Sequence, residues 1–297
     1  MRVFVTGASG FIGSAVVKEL LQAGHSVLGM ARSDEKAAAV AALGAEVHRG
    51  DLTDPESFAT GARQCDGVAH LAFNHDWVTS TREQAAEQDR AVVEAMISML
   101  EGSGKPFVVT SGTALMDSGG RSGSEKDVVP NPTGRALVES IVVDAASRGV
   151  RSSVVRLSPT VHGAGEHGFV PMLIDLARRK GLSAYIGDGE NRWPAVHRYD
   201  AARLYRLALE NAEAGTRWHA AAEEGIPMRV IASTIGEGLG VPVRSLTPDE
   251  AKAHFEWFSL FVGIDNPTSA ALTRKVLGWE PREIGLIEDM RQNGYFS

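Results

Sequence analysis

The sequence predicts an α/β fold, in which a doubly wound parallel sheet is covered by helices on both faces. Short β-branched runs alternate with helical patterns from the N-terminus to residue 157. A glycine-rich turn joins the first run to the first helix, as in a βαβ unit. After residue 160 the pattern is looser and richer in glycine, and it predicts a small α+β lobe. For 297 residues, we expect one α/β domain with such a lobe rather than two independent domains.

The predicted elements follow one another in regular order. We expect strands near 2–6, 25–30, 45–49, 66–72, 105–111 and 150–157, with helices between them that include 11–23, 54–61 and 79–101. The helix over 79–101 is amphipathic and ends at Gly102 and Gly104, which are typical C-terminal stops. Further helices, one of them near 200–212, and short strands near 216–219 and 242–245 are expected in the second half of the chain.

The turn over residues 6–13 has the spacing T-G-x-x-G-x-x-G. Gly7 allows a tight strand-to-helix turn, Gly10 lets a phosphate approach the backbone, and Gly13 lets the helix pack close to the strand. The free N–H groups and the positive end of the helix dipole then face an anion. This context predicts a Rossmann-type dinucleotide site. The residues expected to contact the cofactor here are Gly7, Ser9, Gly10, Phe11, Ile12 and Gly13.

This form of the turn resembles the extended and atypical short-chain dehydrogenase/reductases, the superfamily that includes the NAD-dependent epimerases and dehydratases of nucleotide sugars. Segments 50–54, 70–72, 110–113 and 156–163 also occur in that family's order, so that the resemblance covers roughly the first 200 residues. It implies a dinucleotide-binding domain over 1–160, to which a segment near 196–222 returns. Residues 161–297 are then expected to form mainly the substrate-binding lobe.

The end of the second strand indicates which dinucleotide is bound. Folds that prefer NAD usually place a carboxylate here, whereas this strand ends at Arg32 and Ser33, with no acid until Asp34. Arg32 can pair with a 2′-phosphate and Ser33 can add a hydroxyl donor, so we favour NADP(H). Arg32 could instead lie over the adenine or in solvent.

The resemblance implies further cofactor contacts. Asp51 and Leu52 would meet the adenine, although Asp51 could instead cap the following helix. The other implied contacts are Leu71, Ala72, Phe73, Arg135, Pro159 and Thr160.

The family's catalytic Tyr-x-x-x-Lys pair is missing from this sequence. Glu139 stands where a glutamate follows the lysine, and counting back places Arg135 at the lysine position and Asn131 at the tyrosine position. No tyrosine precedes Tyr185. Asn131 cannot act as a general acid, while Arg135 can hold ribose hydroxyls but cannot relay protons. This departure puts ordinary alcohol oxidation and sugar epimerisation in doubt.

Other side chains could serve the reaction. The resemblance places Ser111 or Thr113 where a hydroxyl polarises a carbonyl, His162 where tyrosine is common, and Tyr185 and His197 in the substrate lobe. Histidine is well suited to protonation near neutral pH. Each of these could instead be structural, and Asp200 more simply orients a neighbour or caps a helix. The candidate catalytic residues are therefore Ser111, Thr113, Asn131, His162 and Tyr185.

The aromatic residues suggest the substrate class. If several face the cleft, the substrate is apolar or aromatic rather than a nucleotide sugar; core packing is the alternative for each. The residues concerned are Phe73, Trp77, Phe169, Trp193, Trp257 and Phe258.

Composition limits the partners. The net charge of −7 and the lack of a basic run give no sign of nucleic acid or an anionic membrane. The single cysteine, Cys65, excludes an intrachain disulfide and is interpreted as structural. No apolar run is long enough to span a membrane and no signal peptide is recognised, so we expect a cytoplasmic protein.

Glu166 and His167 follow His162 in a glycine-rich loop, where no metal site is expected. A homodimer is left open.

These observations predict an NADPH-dependent oxidoreductase that reduces a small apolar or aromatic carbonyl or imine by hydride transfer. An iminium carbon is already electrophilic and yields a neutral amine, so its reduction needs little acid, in keeping with the missing tyrosine. Two alternatives stay open: a catalytically silent NADP(H)-binding redox sensor or regulator, and an enzyme similar to the nucleotide-sugar epimerases and dehydratases.

Overall fold

The computed structural model describes residues 1–76, 79–116, 118 and 120–297. Its strands are β1 (Arg2–Thr6), β2 (Ser26–Ala31), β3 (Glu46–Arg49), β4 (Gly67–His70), β5 (Pro106–Gly112), β6 (Arg151–Leu157), β7 (Thr160–His162), β8 (Ser183–Ile186), β9 (Arg192–His197), β10 (Thr216–Ala220), β11 (Glu223–Pro227) and β12 (Val243–Leu246). Its helices are α1 (Phe11–Gln22), α2 (Asp34–Ala42), α3 (Pro55–Arg63), α4 (Arg82–Leu100), α5 (Gly134–Asp144), α6 (Phe169–Lys180), α7 (Arg198–Asn211), α8 (Met228–Leu239), α9 (Pro248–Phe255), α10 (Ser259–Val262), α11 (Ala271–Leu277) and α12 (Leu286–Gln292).

Seven strands form the main sheet, in the order β10-β6-β5-β4-β1-β2-β3, and every neighbouring pair is parallel. This confirms the predicted Rossmann-type α/β fold. The chain runs outward from β1 in one direction to β3 and then resumes on the other side at β4. Ligands of such sheets bind beyond the carboxyl ends of the strands at the point of reversal, here between β1 and β4.

Side chains of the central strand alternate between two hydrophobic cores. Val3 and Val5 belong to one core together with α1 and α7, and Phe4 belongs to the other together with α3 and α4. Because successive strand residues point to opposite faces, β1 is buried on both sides. Cys65 is buried in the second core, where burial raises the pKa of its thiol to about 11, in keeping with a structural role.

A third core lies in the C-terminal half, around α6, α8 and β8. The two small sheets β11-β9-β7 and β12-β8 flank it. Trp193 and Phe258 are only 1% and 3% exposed, and Phe169 packs on both rings. These three aromatic residues therefore belong to the core rather than to a cleft lining, while Trp257 is 50% exposed. Trp77 lies outside the described residues.

Local chemistry explains where the helices begin. Thr81 and Gln84 form a capping box, so α4 begins at Arg82 rather than near residue 79. The imidazole of His197 accepts a hydrogen bond from the Tyr199 N–H, so α7 begins at Arg198. None of the helices in the described ranges is both long and apolar enough to cross a membrane.

Candidate cofactor-binding site

The turn between β1 and α1 is built so that only glycine fits at two of its positions. Gly7 has φ +66°, and a Cβ on it would lie 2.9 Å from the Ala72 nitrogen. A Cβ on Gly13 would lie 2.0 Å from the Gly7 oxygen. Gly10 stays exposed and donates to the Gly7 carbonyl at 2.9 Å. The first N–H groups of α1 have no partner within the helix, so the turn fits an anionic group such as a pyrophosphate.

The ends of β1 and β4 are fixed to each other by Thr6. Its hydroxyl oxygen accepts from the N–H groups of Leu71 and Ala72, at 3.0 and 3.1 Å. Both lone pairs are then used, so the hydroxyl proton is donated to Nδ1 of His70, 2.7 Å away. The His70 proton therefore lies on Nε2 and is donated to Asp89 at 3.0 Å. This buried chain positions the peptide groups that border Gly7.

At the predicted adenine end, Arg32 and Ser33 are both exposed. No carboxylate among the described residues pairs with Arg32, and the nearby Asp34 is paired with Arg49. Ser33 caps α2 by accepting from the Lys36 N–H. Arg32 is thus available to an anionic ligand.

Asp51 lies beside Arg32. The backbone N–H and then the hydroxyl of Thr53 donate to the Asp51 carboxylate and hold its pKa below the usual range. Asp51 does not cap α3, whose N-cap residue is Asp54. Leu52 packs against the core that contains Phe4.

Arg135 lies at the predicted nicotinamide end. Its guanidinium is 4.1 Å from the centre of the Phe73 ring, and Nη2 donates to the Thr110 carbonyl at 3.4 Å. Nε of Arg135 is buried and has no hydrogen-bond partner among the described residues. A donor left unpaired at the position of the family's lysine fits the hydroxyl groups of a ribose.

His75 is a residue that the sequence analysis missed. It lies next to Phe73 in the loop after β4, with ring centres 5.0 Å apart. Partial loss of solvent around the imidazole lowers its pKa, and the nearby Arg135 and His167 lower it further. Its position in a loop at the carboxyl edge of the sheet was the available signal.

The hydroxyl groups of Ser111 in β5, of Thr113 just after β5 and of Thr160 in β7 already have hydrogen-bond partners. Ser111 is 4% exposed and donates to Glu139 at 2.7 Å. Thr113 is fully buried and donates to the Asn266 side chain at 2.7 Å. Thr160 is also buried and donates to the Pro194 carbonyl at 2.6 Å, while Pro159 is partly buried beside it. The hydroxyl protons of Ser111 and Thr113 are thus donated within the protein rather than to a substrate carbonyl, the role expected for one of them.

The three remaining predicted catalytic residues, Asn131, His162 and Tyr185, lie in three different environments. Asn131 is exposed in the loop before α5 with φ 50°, not on the helix. His162 is 1% exposed, and its Nδ1 lies 2.8 Å from Asp289. Tyr185 lines an open groove of about 560 Å³ in the C-terminal half with Arg229 and Arg291, and no other predicted catalytic residue lines it.

The comparisons with known proteins agree with this geometry. The sequence model of the NAD dependent epimerase/dehydratase family matches residues 3–221. The chain belongs to this family. The match covers the phosphate-binding turn and Arg135, and it reaches every strand of the seven-stranded sheet.

Several proteins are similar over most of the chain. C2A9.02 of Schizosaccharomyces pombe, described as uncharacterized, is 50% identical over 297 residues, which are 100% of each chain. The 4-hydroxy-2-methyl-3-oxo-4-farnesyl-3,4-dihydroquinoline-1-oxide ketoreductase of Stigmatella aurantiaca is 30% identical over 227 residues, 72% of this chain and 66% of that one. The structure of DesIV, a dTDP-glucose 4,6-dehydratase of Streptomyces venezuelae with NAD and TYD bound, gives a TM-score of 0.76 at 19% identity, covering 100% and 96% of the two chains. This last similarity concerns the fold alone.

The epimerase/dehydratase family member described here keeps the glutamate that follows the lysine position, and the structure gives this residue a role. Glu139 accepts from Ser111 and Arg217 and forms a buried ion pair with Arg156. It therefore joins α5 to β5, β6 and β10 beneath the cleft.

The loop after β7 separates the groups that a metal would need together. Glu166 turns toward Tyr295, with 2.7 Å between their oxygen atoms, whereas His167 packs on the Phe11 ring. Within the described ranges, no group of three or more His, Cys, Asp or Glu side chains could hold a metal ion.

Proposed function

We propose that this family member is an NADP(H)-dependent reductase that transfers a hydride to a small apolar or aromatic carbonyl or imine. The observation that carries the proposal is Arg135, a cation without a carboxylate partner in the described residues, which lies on Phe73 with Nε unpaired. Family membership supports a nicotinamide dinucleotide at this edge of the sheet. The ketoreductase name of a relative that is 30% identical supports reduction rather than epimerisation.

Arg32 supports NADP(H) as the cofactor. A 2′-phosphate would extend from the ribose toward the end of β2, where a carboxylate would repel it and a guanidinium attracts it. Arg32 is exposed there, and Asp34 is already neutralised by Arg49. The glycines of the turn and the unpaired first N–H groups of α1 fit the pyrophosphate.

The reaction type follows from which side chains can hold or give a proton. NADPH supplies the hydride when it is bound. Arg135 keeps its charge at every physiological pH, so it orients hydroxyl groups but does not release a proton. Loss of solvent lowers the pKa of His75 to about 4, so near pH 7 it is neutral and does not serve as a general acid. This arrangement suits an iminium or an activated carbonyl better than a plain ketone, whose reduction forms an alkoxide.

The test compares a matched cyclic imine and cyclic ketone in an NADPH-oxidation assay. We expect the imine to be the better substrate for the wild type. Arg135→Gln should lower its kcat/KM by about 10²-fold, the usual effect of losing one preorganised donor. Arg274→Gln is the control, because Arg274 also lies on an aromatic ring and donates to a carbonyl, but outside the cleft. The proposal is contradicted if the ketone is reduced faster than the imine, or if Arg135→Gln reduces the imine as fast as the wild type.

A redox sensor that binds NADP(H) without turnover is the second candidate. It is favoured by the lack of a tyrosine before Tyr185 and by the engagement of Ser111 with Glu139 and of Thr113 with Asn266. NADPH binding without oxidation by any aldehyde, ketone, cyclic imine or activated alkene would support the sensor.

A further inference from the structure

A second arginine lies beside the phosphate-binding turn, and it comes from the C-terminal half of the chain. Arg198 is the first residue of α7, and its guanidinium carbon is 4.8 Å from the centre of the Phe11 ring. Its Nη1 donates to the Ala164 carbonyl at 3.1 Å. Its Nε is buried and has no hydrogen-bond partner among the described residues.

Three other partly buried arginines have carboxylate partners, whereas Arg151 has none and uses both Nη1 and Nη2 on backbone carbonyls. Arg203 pairs with Asp200, Arg206 with Glu19, and Arg217 with Glu139. Arg198 forms no ion pair with any described residue. A partly buried cation without a counter-charge is costly, because it has lost part of its hydration and gained only neutral partners. Unlike Arg151, Arg198 has one carbonyl partner and a buried Nε without any, so an anion from outside the chain would supply what its surroundings lack.

The surroundings of Arg198 hold it over the turn. Gly163 has φ +137°, and a Cβ on it would lie 3.0 Å from Cδ of Arg198, so the bare backbone makes room for the arginine stem. On another side, the His167 ring is 5.9 Å from the Phe11 ring. Phe11 is also the first residue of α1, whose first N–H groups have no partner in the helix. Arg198 therefore packs on the side chain of the residue with which α1 and its free N–H groups begin.

We propose that Arg198 binds the pyrophosphate of the dinucleotide, opposite the N–H groups of α1. The inference rests on the proposed function and names a cofactor contact from the second half of the chain. A guanidinium presents two parallel N–H groups to two phosphate oxygens, and Nε supplies one of them. Arg32 differs in its target, because the 2′-phosphate occurs only in NADP(H) whereas the pyrophosphate occurs in NAD(H) as well.

This difference gives the experiment. The dissociation constants of NADPH, NADH and adenosine 2′-monophosphate are measured by calorimetric titration for the wild type, Arg198→Gln, Arg198→Lys, Arg32→Gln and the control Arg274→Gln. Arg198→Gln should raise the Kd of NADPH and NADH by the same factor, about tenfold, and leave adenosine 2′-monophosphate unchanged. Arg32→Gln should weaken NADPH and adenosine 2′-monophosphate but not NADH. Arg198→Lys should fall between wild type and Arg198→Gln, because it keeps the charge and loses the fork.

The outcomes separate the two proposals. A wild type that binds neither dinucleotide overturns the proposed function and this contact with it. A wild type that binds both, with unchanged Kd values in Arg198→Gln, overturns the Arg198 contact alone. If Arg198→Gln raises the Kd of NADPH but not that of NADH, the contact is also overturned, because both dinucleotides contain the pyrophosphate. If Arg198→Gln does not fold, an unchanged Kd in Arg198→Lys overturns the contact and a raised one supports it.

Discussion

At the scale of single residues, the carboxyl group of Glu166 behaves very differently from one in water. Burial, together with the negative charge of the neighbouring Asp289, raises its pKa to about 8. The Tyr295 hydroxyl lies 2.7 Å from Glu166 and 3.1 Å from Asp289, and one proton cannot be donated to both carboxylates. Burial alone would raise the pKa of Asp289 too, but hydrogen bonds from His162 and Asn293 hold it below its usual range. Glu166 is therefore the protonated member of the pair.

This assignment predicts a specific pH dependence of stability. The folded-state pKa of Glu166 lies above its unfolded value of 4.5, so the stabilisation is fully present below pH 4.5 and is lost as pH rises through 8. We expect the wild type to lose about 2 kcal/mol of unfolding free energy between pH 6 and 9 through this group, and Glu166→Gln to lack that loss. Urea unfolding measures it, with the exposed Glu288→Gln as the control for charge. The same pH dependence in the wild type and Glu166→Gln would refute the assignment.

At the scale of elements, the parts that depend on neighbouring residues could be predicted from the sequence. The strand, turn and helix at the N-terminus rest on glycine spacing, and α1 begins at Phe11 as expected. Pairs of residues distant in sequence could not be found in this way. His162 lies against Asp289, 127 residues further on, and Ser111 in β5 donates to the carboxylate of Glu139 in α5. For Asn131 the local sequence does carry a signal, since Pro132 follows it and a residue before proline disfavours helix.

The closeness of β1, the turn and α1 can be tested with one methyl group. Gly→Ala usually stabilises a helix, but at Gly13 the methyl would lie 2.0 Å from the Gly7 carbonyl oxygen and must push the turn aside. We expect Gly13→Ala to lower the unfolding free energy by about 2 kcal/mol and to weaken dinucleotide binding. Ser14→Ala, at the next position of α1, should change neither quantity appreciably. Chemical denaturation and titration of both variants decide this, and a Gly13→Ala protein as stable as the wild type would show that the turn relaxes freely.

At the scale of the whole molecule, the net charge conceals a local charge of opposite sign. The chain carries −7 overall, yet the edge beyond β1, β2 and β4 gathers Arg32, Arg135 and Arg198, none of which has a carboxylate partner in the described ranges. The sequence contains no basic run, and these three cations, distant along the chain, reach the same edge of the sheet only through folding. Two of them belong to helices on opposite faces of the sheet, since α7 packs on α1 in one core and α5 packs on α4 in the other. A bound dinucleotide would therefore hold elements from both halves of the chain.

Because a ligand that binds only the folded state stabilises it, thermal unfolding of the intact protein can test this arrangement. NADPH at 100 times its Kd should stabilise the folded state by ~2.7 kcal/mol and raise Tm by about 5 °C. NADH at the same concentration should raise it less, because it lacks the phosphate that Arg32 would bind. Arg32→Asp should weaken NADPH binding by ~1.5–3 kcal/mol, removing most of the NADPH shift but not the NADH shift. Arg63→Asp, the same charge change at another exposed arginine, should leave both shifts intact. Equal shifts with NADH and NADPH in the wild type would place Arg32 over the adenine or in solvent, and the choice of NADP(H) would then lose its physical basis.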